Sequence, residues 1–302
     1  MKIFVTGGTG FIGKSVVRHL LDNNHDVYVL TRSSRNYLNQ STLTYIEGDL
    51  KNTKHLSETF DHIKPEVLIH LAWEDLPDYS FFTSKQNLNY SIDIFNIAAK
   101  SGCSTILSTG SCWEYQNKYG KVTEDSSISS DNCFSSVKNS LRLMGKASRS
   151  VFGCNFYWLR LFYVYGPNQR STSLIPTIID SFQKGHPPKI NNPENKNDFI
   201  YVDDVARAIT TILEKKPKKT TYNIGSGHLT SIKDIINETY QYVSKIKNLQ
   251  ITKRFEQSKT SMTEGFYADI SRINSETGWK PEFSIKEGIR IYYDYFTNAD
   301  EN

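Results

Sequence analysis

The chain has 302 residues, 38% of them hydrophobic and 23% charged, with 13% aromatics and a net charge of +4. This length can bury a large core, as one sizeable unit with a smaller one joined to it, and the composition is that of an ordinary soluble globular protein. So mild a charge argues against nucleic acid as a partner, and the basic tract KKPKK at 215–219 reads as a solvated loop.

The first residues, MKIFVTGGTGFIG, read as a strand and a glycine turn rather than a signal peptide, and no stretch approaches the ~20 apolar residues of a membrane span. Cys103, Cys112, Cys133 and Cys154 lack metal-ligand spacing, so no metal is expected and the thiols read as reduced, in a cytoplasmic protein.

In chain order, KIFVT (2–6) is followed by Ile12, Val16, Val17, Leu20 and Leu21, which share one helical face. Further strands are predicted in DVYVLT (26–31), LTYIEG (43–48), EVLIHLA (66–72), STILSTG (104–110) and FYWLRLF (156–162). Between the last two, Val137, Leu141, Met144 and Val151 form a helical stripe. Compact apolar strands alternating with amphipathic helices predict an α/β fold, a Rossmann-type doubly wound parallel sheet.

After GPNQR (166–170) the pattern turns irregular, and KGHPPKINNPENKND (184–198) reads as a loop near a cleft. FIYVDDVARAITTIL (199–213) resumes as strand and helix, with Asp203 and Asp204 as helix caps, and GSG (225–227) precedes a helical run from Ile232 to Val243. The expected division is a dinucleotide-binding domain at 1–165, onto which 199–213 packs back, and a smaller mixed α/β substrate-binding domain at 166–302.

The turn Gly7-Gly8-Thr9-Gly10-Phe11-Ile12-Gly13 sits between the first strand and the first helix. Glycines at 7, 10 and 13 permit a tight turn, close approach to a pyrophosphate, and close packing of helix on strand, while the helix start offers free N–H groups to phosphate. The second strand ends in Thr31-Arg32-Ser33-Ser34-Arg35, without the acid that would hold the ribose of NAD. Arg32, Ser33 and Arg35 instead suit a 2′-phosphate, so NADP is the expected cofactor, although two solvated arginines would read the same way. Asp49 and Leu50, after the third strand, are placed against the adenine.

TGGTGFIG, GDL (48–50), HLA (70–72), STGSCWEY (108–115), FSSVK (134–138), LRLFYVYGP (159–167), DFIYVDDVARA (198–207), YNIGSG (222–227) and GWKPEFSIKEGI (278–289) follow one another along nearly the whole chain. Together they resemble the extended short-chain dehydrogenase/reductases, the NAD(P)-dependent family of nucleotide-sugar epimerases and dehydratases. The resemblance implies an oxidoreductase and adds Leu71 and Ala72 to the cofactor contacts. It implies that Ser111 hydrogen-bonds the reacting sugar oxygen, that a tyrosine at 134 moves the proton, and that Lys138 binds the nicotinamide ribose. Residues four apart share a helix face, so 134 and 138 reach one cofactor. Position 134 is Phe. Losing a positioned general acid costs about 10²–10⁴ in rate. Three explanations stay open: a disabling Tyr→Phe change in this chain, another donor such as Tyr115, Tyr163 or water, or a non-catalytic NADP-binding protein.

For the substrate, the resemblance points to Trp73, Asn87, Ser111, Cys112, Trp113, Tyr163 and Lys259. Helix packing accounts as well for Asn87, and core packing for the two tryptophans and Cys112. Dehydratases of the family carry an Asp-Glu pair after the serine, and Cys112-Trp113 stands there instead. That leaves reduction or epimerisation, and the arginine-bearing turn tips the choice to reduction. HLAW (70–73), LPDY (76–79) and GSCWEY (110–115) resemble reductases of nucleotide-linked 4-keto-6-deoxysugars. An NADPH reductase of that class, in deoxysugar biosynthesis for surface polysaccharide, is the leading expectation. A 4-epimerase with retained NAD is the alternative, and the resemblance implies a homodimer through helices near 88–99 and 137–151.

Overall fold

The computed structural model describes residues 1–34, 37–129, 131–247 and 265–299. Arg35 and Lys259, both singled out above, lie outside the described residues. In chain order, β1 (Lys2–Thr6), α1 (Phe11–Asp22), β2 (Asp26–Thr31), β3 (Leu43–Glu47), α2 (Thr53–Ile63), β4 (Val67–His70), α3 (Phe81–Lys100) and β5 (Thr105–Ser111) form the first half. After one helical turn at Cys112–Glu114 come β6 (Gly120–Val122), α4 (Cys133–Phe152), β7 (Asn155–Leu161), β8 (Tyr163–Tyr165) and α5 (Leu174–Gln183). Then follow β9 (Lys196–Asn197), β10 (Phe199–Tyr201), α6 (Val202–Lys215), β11 (Thr221–Ile224) and β12 (Thr230–Ser231). The chain closes with α7 (Ile232–Lys247), β13 (Phe266–Ala268), α8 (Ser271–Thr277) and α9 (Ile285–Ala299).

Seven parallel strands make the central sheet in the order β11-β7-β5-β4-β1-β2-β3. This is the doubly wound Rossmann-type fold, and the order reverses between β1 and β4, which opens a crevice at the carboxyl ends of the strands. Ile3, Phe4 and Val5 of β1 are wholly buried. Each such side chain contributes about 1.5–3 kcal/mol, enough to offset the ~1–2 kcal/mol of backbone entropy lost per ordered residue. α1 and α6 cover one face, and α2, α3 and α4 the other.

β11 joins the sheet edge although its four residues are too short and polar for periodicity to mark. The helical stripe of α4 is also shifted from the expected one. Met144 and Val151 are exposed, and the buried face runs through Phe134, Lys138, Leu141 and Gly145. A Cβ at Gly145 would stand 2.0 Å from the Phe156 ring, so the missing side chain lets this helix close onto β7.

Asp203 and Asp204 fall in the first turn of α6, whose N-cap, Tyr201, makes no side-chain cap bond. They tie the helix outward instead of capping it. Asp203 accepts from Ser15 and pairs with Arg18 at 2.6 Å, fastening α6 to α1. Buried Asp204 accepts from the N–H groups of Glu282 at 2.9 Å and Phe283 at 3.1 Å. α5, α7 and α9 pack with β8 and β10 in a separate apolar cluster above the carboxyl edge of the sheet. Among the described residues, no helix is long and apolar enough to cross a membrane.

Candidate active site

A cavity of about 880 Å³ opens at the crevice, within the range usual for small-molecule sites. Its floor is the turn after β1, where Gly7, Thr9, Gly10, Phe11, Ile12 and Gly13 all line it. Gly7 has φ +73°, and a Cβ there would meet Ala72 N at 2.7 Å. A Cβ on Gly13 would stand 2.0 Å from Gly7 O, so this turn excludes side chains at both positions. The first N–H groups of α1 lack intrahelical partners and face this cradle, which fits a dinucleotide pyrophosphate. Arg32, Asp49, Leu50, Leu71, Ala72 and Trp73 also line the cavity. Ser33 does not; its backbone is engaged with Thr31 Oγ1.

The opposite wall carries Ser111, Phe134, Lys138 and Tyr163. Ser111 ends β5 on a rigid support. Its N–H donates to Glu114 Oε1 at 2.9 Å, and its Oγ accepts from Trp113 N at 3.2 Å. Fully buried Glu114 in turn accepts from Arg160 Nε at 2.8 Å and Trp158 Nε1 at 3.0 Å. Arg160, itself buried, donates to the Tyr115 hydroxyl and to Glu124 O, both at 3.0 Å, and Tyr115 donates to Asn223 Oδ1 at 2.5 Å. Two buried charges are tolerated here because nearly every polar arm has a partner.

Lys138 Nζ is buried, donates to Thr109 O at 2.9 Å and lies 4.1 Å from the centre of the Trp73 ring. Burial lowers its pKa to about 8, against the opposing pull of Glu114. Phe134 stands one turn earlier on the same face. Its ring meets Trp73 at 5.1 Å and Tyr79 at 5.2 Å, both edge to face, and lies 5.7 Å from Lys138 Nζ. The wall thus presents a ring, a lysine and a serine hydroxyl, with no phenol at 134.

Tyr115, one of the alternative donors, is sealed in the network beneath Ser111, and burial pushes its phenol up to about 12. Tyr163 reaches the cavity, also with its phenol pushed up to about 12 by burial. Tyr79 was not singled out by the sequence. Its segment LPDY enters the sequence reading only as part of a resemblance, with no role for the tyrosine, yet Tyr79 lines the cavity and packs against Phe134 and Trp113. Two anchors hold this loop. Asn87 Oδ1 accepts from Glu74 N at 2.7 Å, and Asp78 accepts from Ser80 N at 2.9 Å.

Asn87 therefore acts on the loop and does not itself line the cavity. Cys112 is buried behind Ser111, and burial pushes its thiol up to about 12. Trp113 faces a second, neighbouring hollow of about 560 Å³ that shares Tyr163 and Asn197 with the first. His70 is structural. Ser91 donates to Asn87 O, so it accepts from His70 Nε2–H at 2.9 Å, while Thr6 Oγ1 donates to Nδ1 at 2.7 Å. Burial and nearby Lys138 lower the ring to about 3 and keep it neutral. Among the described residues, no cluster of side chains could hold a metal ion.

Residues 3–225 match the model of the NAD dependent epimerase/dehydratase family. The chain belongs to that family. Its members are enzymes of the short-chain dehydrogenase/reductase type. A putative UDP-glucose 4-epimerase of Methanocaldococcus jannaschii is 28% identical, over 98% of each chain. A dTDP-glucose 4,6-dehydratase of Escherichia coli is 25% identical, over all of this chain and 95% of that one. Among solved structures, the UDP-glucuronic acid 4-epimerase of Bacillus cereus in complex with NAD is 26% identical, covers 99% of each chain and superposes with a TM-score of 0.82.

These findings overturn the expectation of NADP. The family is NAD-dependent, and the Bacillus cereus enzyme holds NAD. Arg32, from which NADP was read, is 74% exposed and lies 3.7 Å from the carboxylate of Glu74.

Proposed function

We propose that this family member performs NAD-dependent hydride chemistry at C4 of a nucleotide-linked hexose, in the manner of a 4-epimerase. The observation that carries this reading is the placing of Ser111 and buried Lys138 on one wall of the cavity, above a side-chain-free glycine cradle. NAD, when bound, supplies a reversible hydride acceptor: the C4 hydrogen leaves as hydride and the hydroxyl hydrogen as a proton, and both return, so no oxidant is consumed. The cradle at Gly7–Gly13 holds the pyrophosphate, Lys138 serves the nicotinamide ribose, and Ser111 hydrogen-bonds the reacting oxygen. Arg170 and Asn197 line the end of the cavity away from the adenosine side and suit the sugar diphosphate.

The relatives named above are 4-epimerases and a dehydratase. Dehydration is disfavoured, since Cys112-Trp113 replaces the acid pair and the Cys112 thiol is held neutral by burial. Net reduction of a 4-keto sugar drew support from NADPH as well as from the HLAW, LPDY and GSCWEY segments. The loss of the first support, with 4-epimerases among the relatives, moves the balance to epimerisation. Phe134 leaves the proton step to another hydroxyl of the cavity, and the candidates are Tyr79, which packs against its ring, and Ser111 and Tyr163, which line the same cavity. A homodimer belongs to the same reading, supported by Leu143, Met144 and Val151 left exposed on α4 beside α3.

The test is to incubate the chain and Phe134→Tyr with NAD and a panel of UDP- and dTDP-linked hexoses, separating products by chromatography and following NADH by absorbance. The 4-epimer should form without accumulating NADH. Stoichiometric NADH, or no epimer from either protein, contradicts the proposal.

A further inference from the structure

An NAD-dependent protein whose second strand ends in arginine lacks the usual means of choosing its cofactor. In doubly wound folds an acid after that strand accepts from the ribose 2′-hydroxyl, whereas an arginine there accommodates a 2′-phosphate. Among the described residues Thr31–Ser34 no acid is present. The structure brings one from elsewhere. Glu74, four residues beyond the end of β4, lines the cavity with its side chain only 14% exposed. Its Oε1 lies 3.7 Å from Arg32 Nη1 and its Oε2 lies 3.8 Å from Lys51 Nζ. Glu74 is the largest cause of the raised pKa of Lys51, ahead of Tyr90 and Asp49.

The backbone of Glu74 is fixed as well. Asn87 Oδ1 accepts from its N–H at 2.7 Å, and Asn87 Nδ2 donates to its carbonyl at 3.3 Å. A carboxylate so held, between two cations at the ribose end of a cavity, can accept from ribose hydroxyls. A 2′-phosphate arriving at Arg32 would meet that carboxylate, with Asp49 also on the cavity wall. Like charges so placed oppose binding.

We propose that Glu74 is the residue that selects NAD over NADP, taking from the β4 loop the part that the end of β2 does not supply. Arg32 then holds the selecting carboxylate instead of a phosphate. The inference rests on the dinucleotide reading of the cavity, not on the sugar chemistry.

The test is calorimetric titration of the purified full chain with NAD and with NADP, for the native protein, Glu74→Gln, Arg32→Ala and the double variant. Glu74→Gln should tighten NADP relative to NAD by about 10-fold or more, corresponding to one lost like-charge contact. In the Arg32→Ala background the same substitution should give a smaller gain, because relief of the like charge remains while no guanidinium is freed to meet the phosphate. An unchanged NADP-to-NAD ratio in Glu74→Gln, with unfolding temperature preserved, overturns the role of Glu74 and leaves the dinucleotide reading intact. Failure of the native chain to bind either dinucleotide overturns both.

Discussion

The cavity has two unlike walls. Beneath Ser111 lies a sealed network of Glu114, Arg160, Tyr115 and Asn223, in which a side chain from β11 is bonded to one just beyond β5. Facing it, the loop carrying Trp73, Glu74 and Tyr79 rests on a few hydrogen bonds at its two ends, and Tyr79 is 37% exposed. The buried network holds the serine still at a stability risk, because removing one charge strands the other. The loop brings Trp73, Glu74 and Tyr79 to the cavity from outside the sheet. Ser111 is thus held from within the core, while Glu74 and Tyr79 are held from a loop outside the sheet.

Glu114→Ala separates the two walls most sharply. It leaves the Arg160 guanidinium buried without its carboxylate and frees the N–H of Ser111. Loss of a partner in a buried pair costs about 3–5 kcal/mol, so denaturant unfolding should show a drop of that order. A change below about 1 kcal/mol would mean that the network is not the support described here.

A smaller effect concerns Lys138, which bridges the walls. Burial lowers its pKa from the ordinary 10.5 to about 8. Between those values the unfolded chain binds a proton that the folded chain does not, so this residue makes stability rise with pH from about 8 to 10.5. Below about 8 both states carry the proton, and the folded state bears the cost of a buried ammonium. Lys138→Met should be the more stable protein at neutral pH and should lose that rise, measured by denaturant unfolding across the window. The same slope in both proteins would contradict the assignment.

Much of the sheet was legible because its strands are fully buried and read as apolar runs. β11 was not, since a short edge strand carries its polar Asn223 into a buried network that no local pattern announces. The glycine turn was legible because its chemistry lies in the backbone, which the residue types dictate. The expectation of NADP rested on arginines read without their surroundings. Arg32 was visible in the sequence, but its partner Glu74 lies 42 positions away and meets it only after β1 and β4 pair. Likewise Phe134 showed what was missing from α4, and only the fold showed that Tyr79 packs beside it.

The most direct measurement is the rate of C4 epimerisation of a nucleotide-linked hexose, with NAD present, by this chain and by Phe134→Tyr under the same conditions. A wall complete except for one phenol predicts a gain of about 10²–10⁴ on restoring it. Equal rates in the two proteins would show that another hydroxyl of the cavity already does the full work of a phenol at 134, and would contradict the account of this wall as lacking its acid.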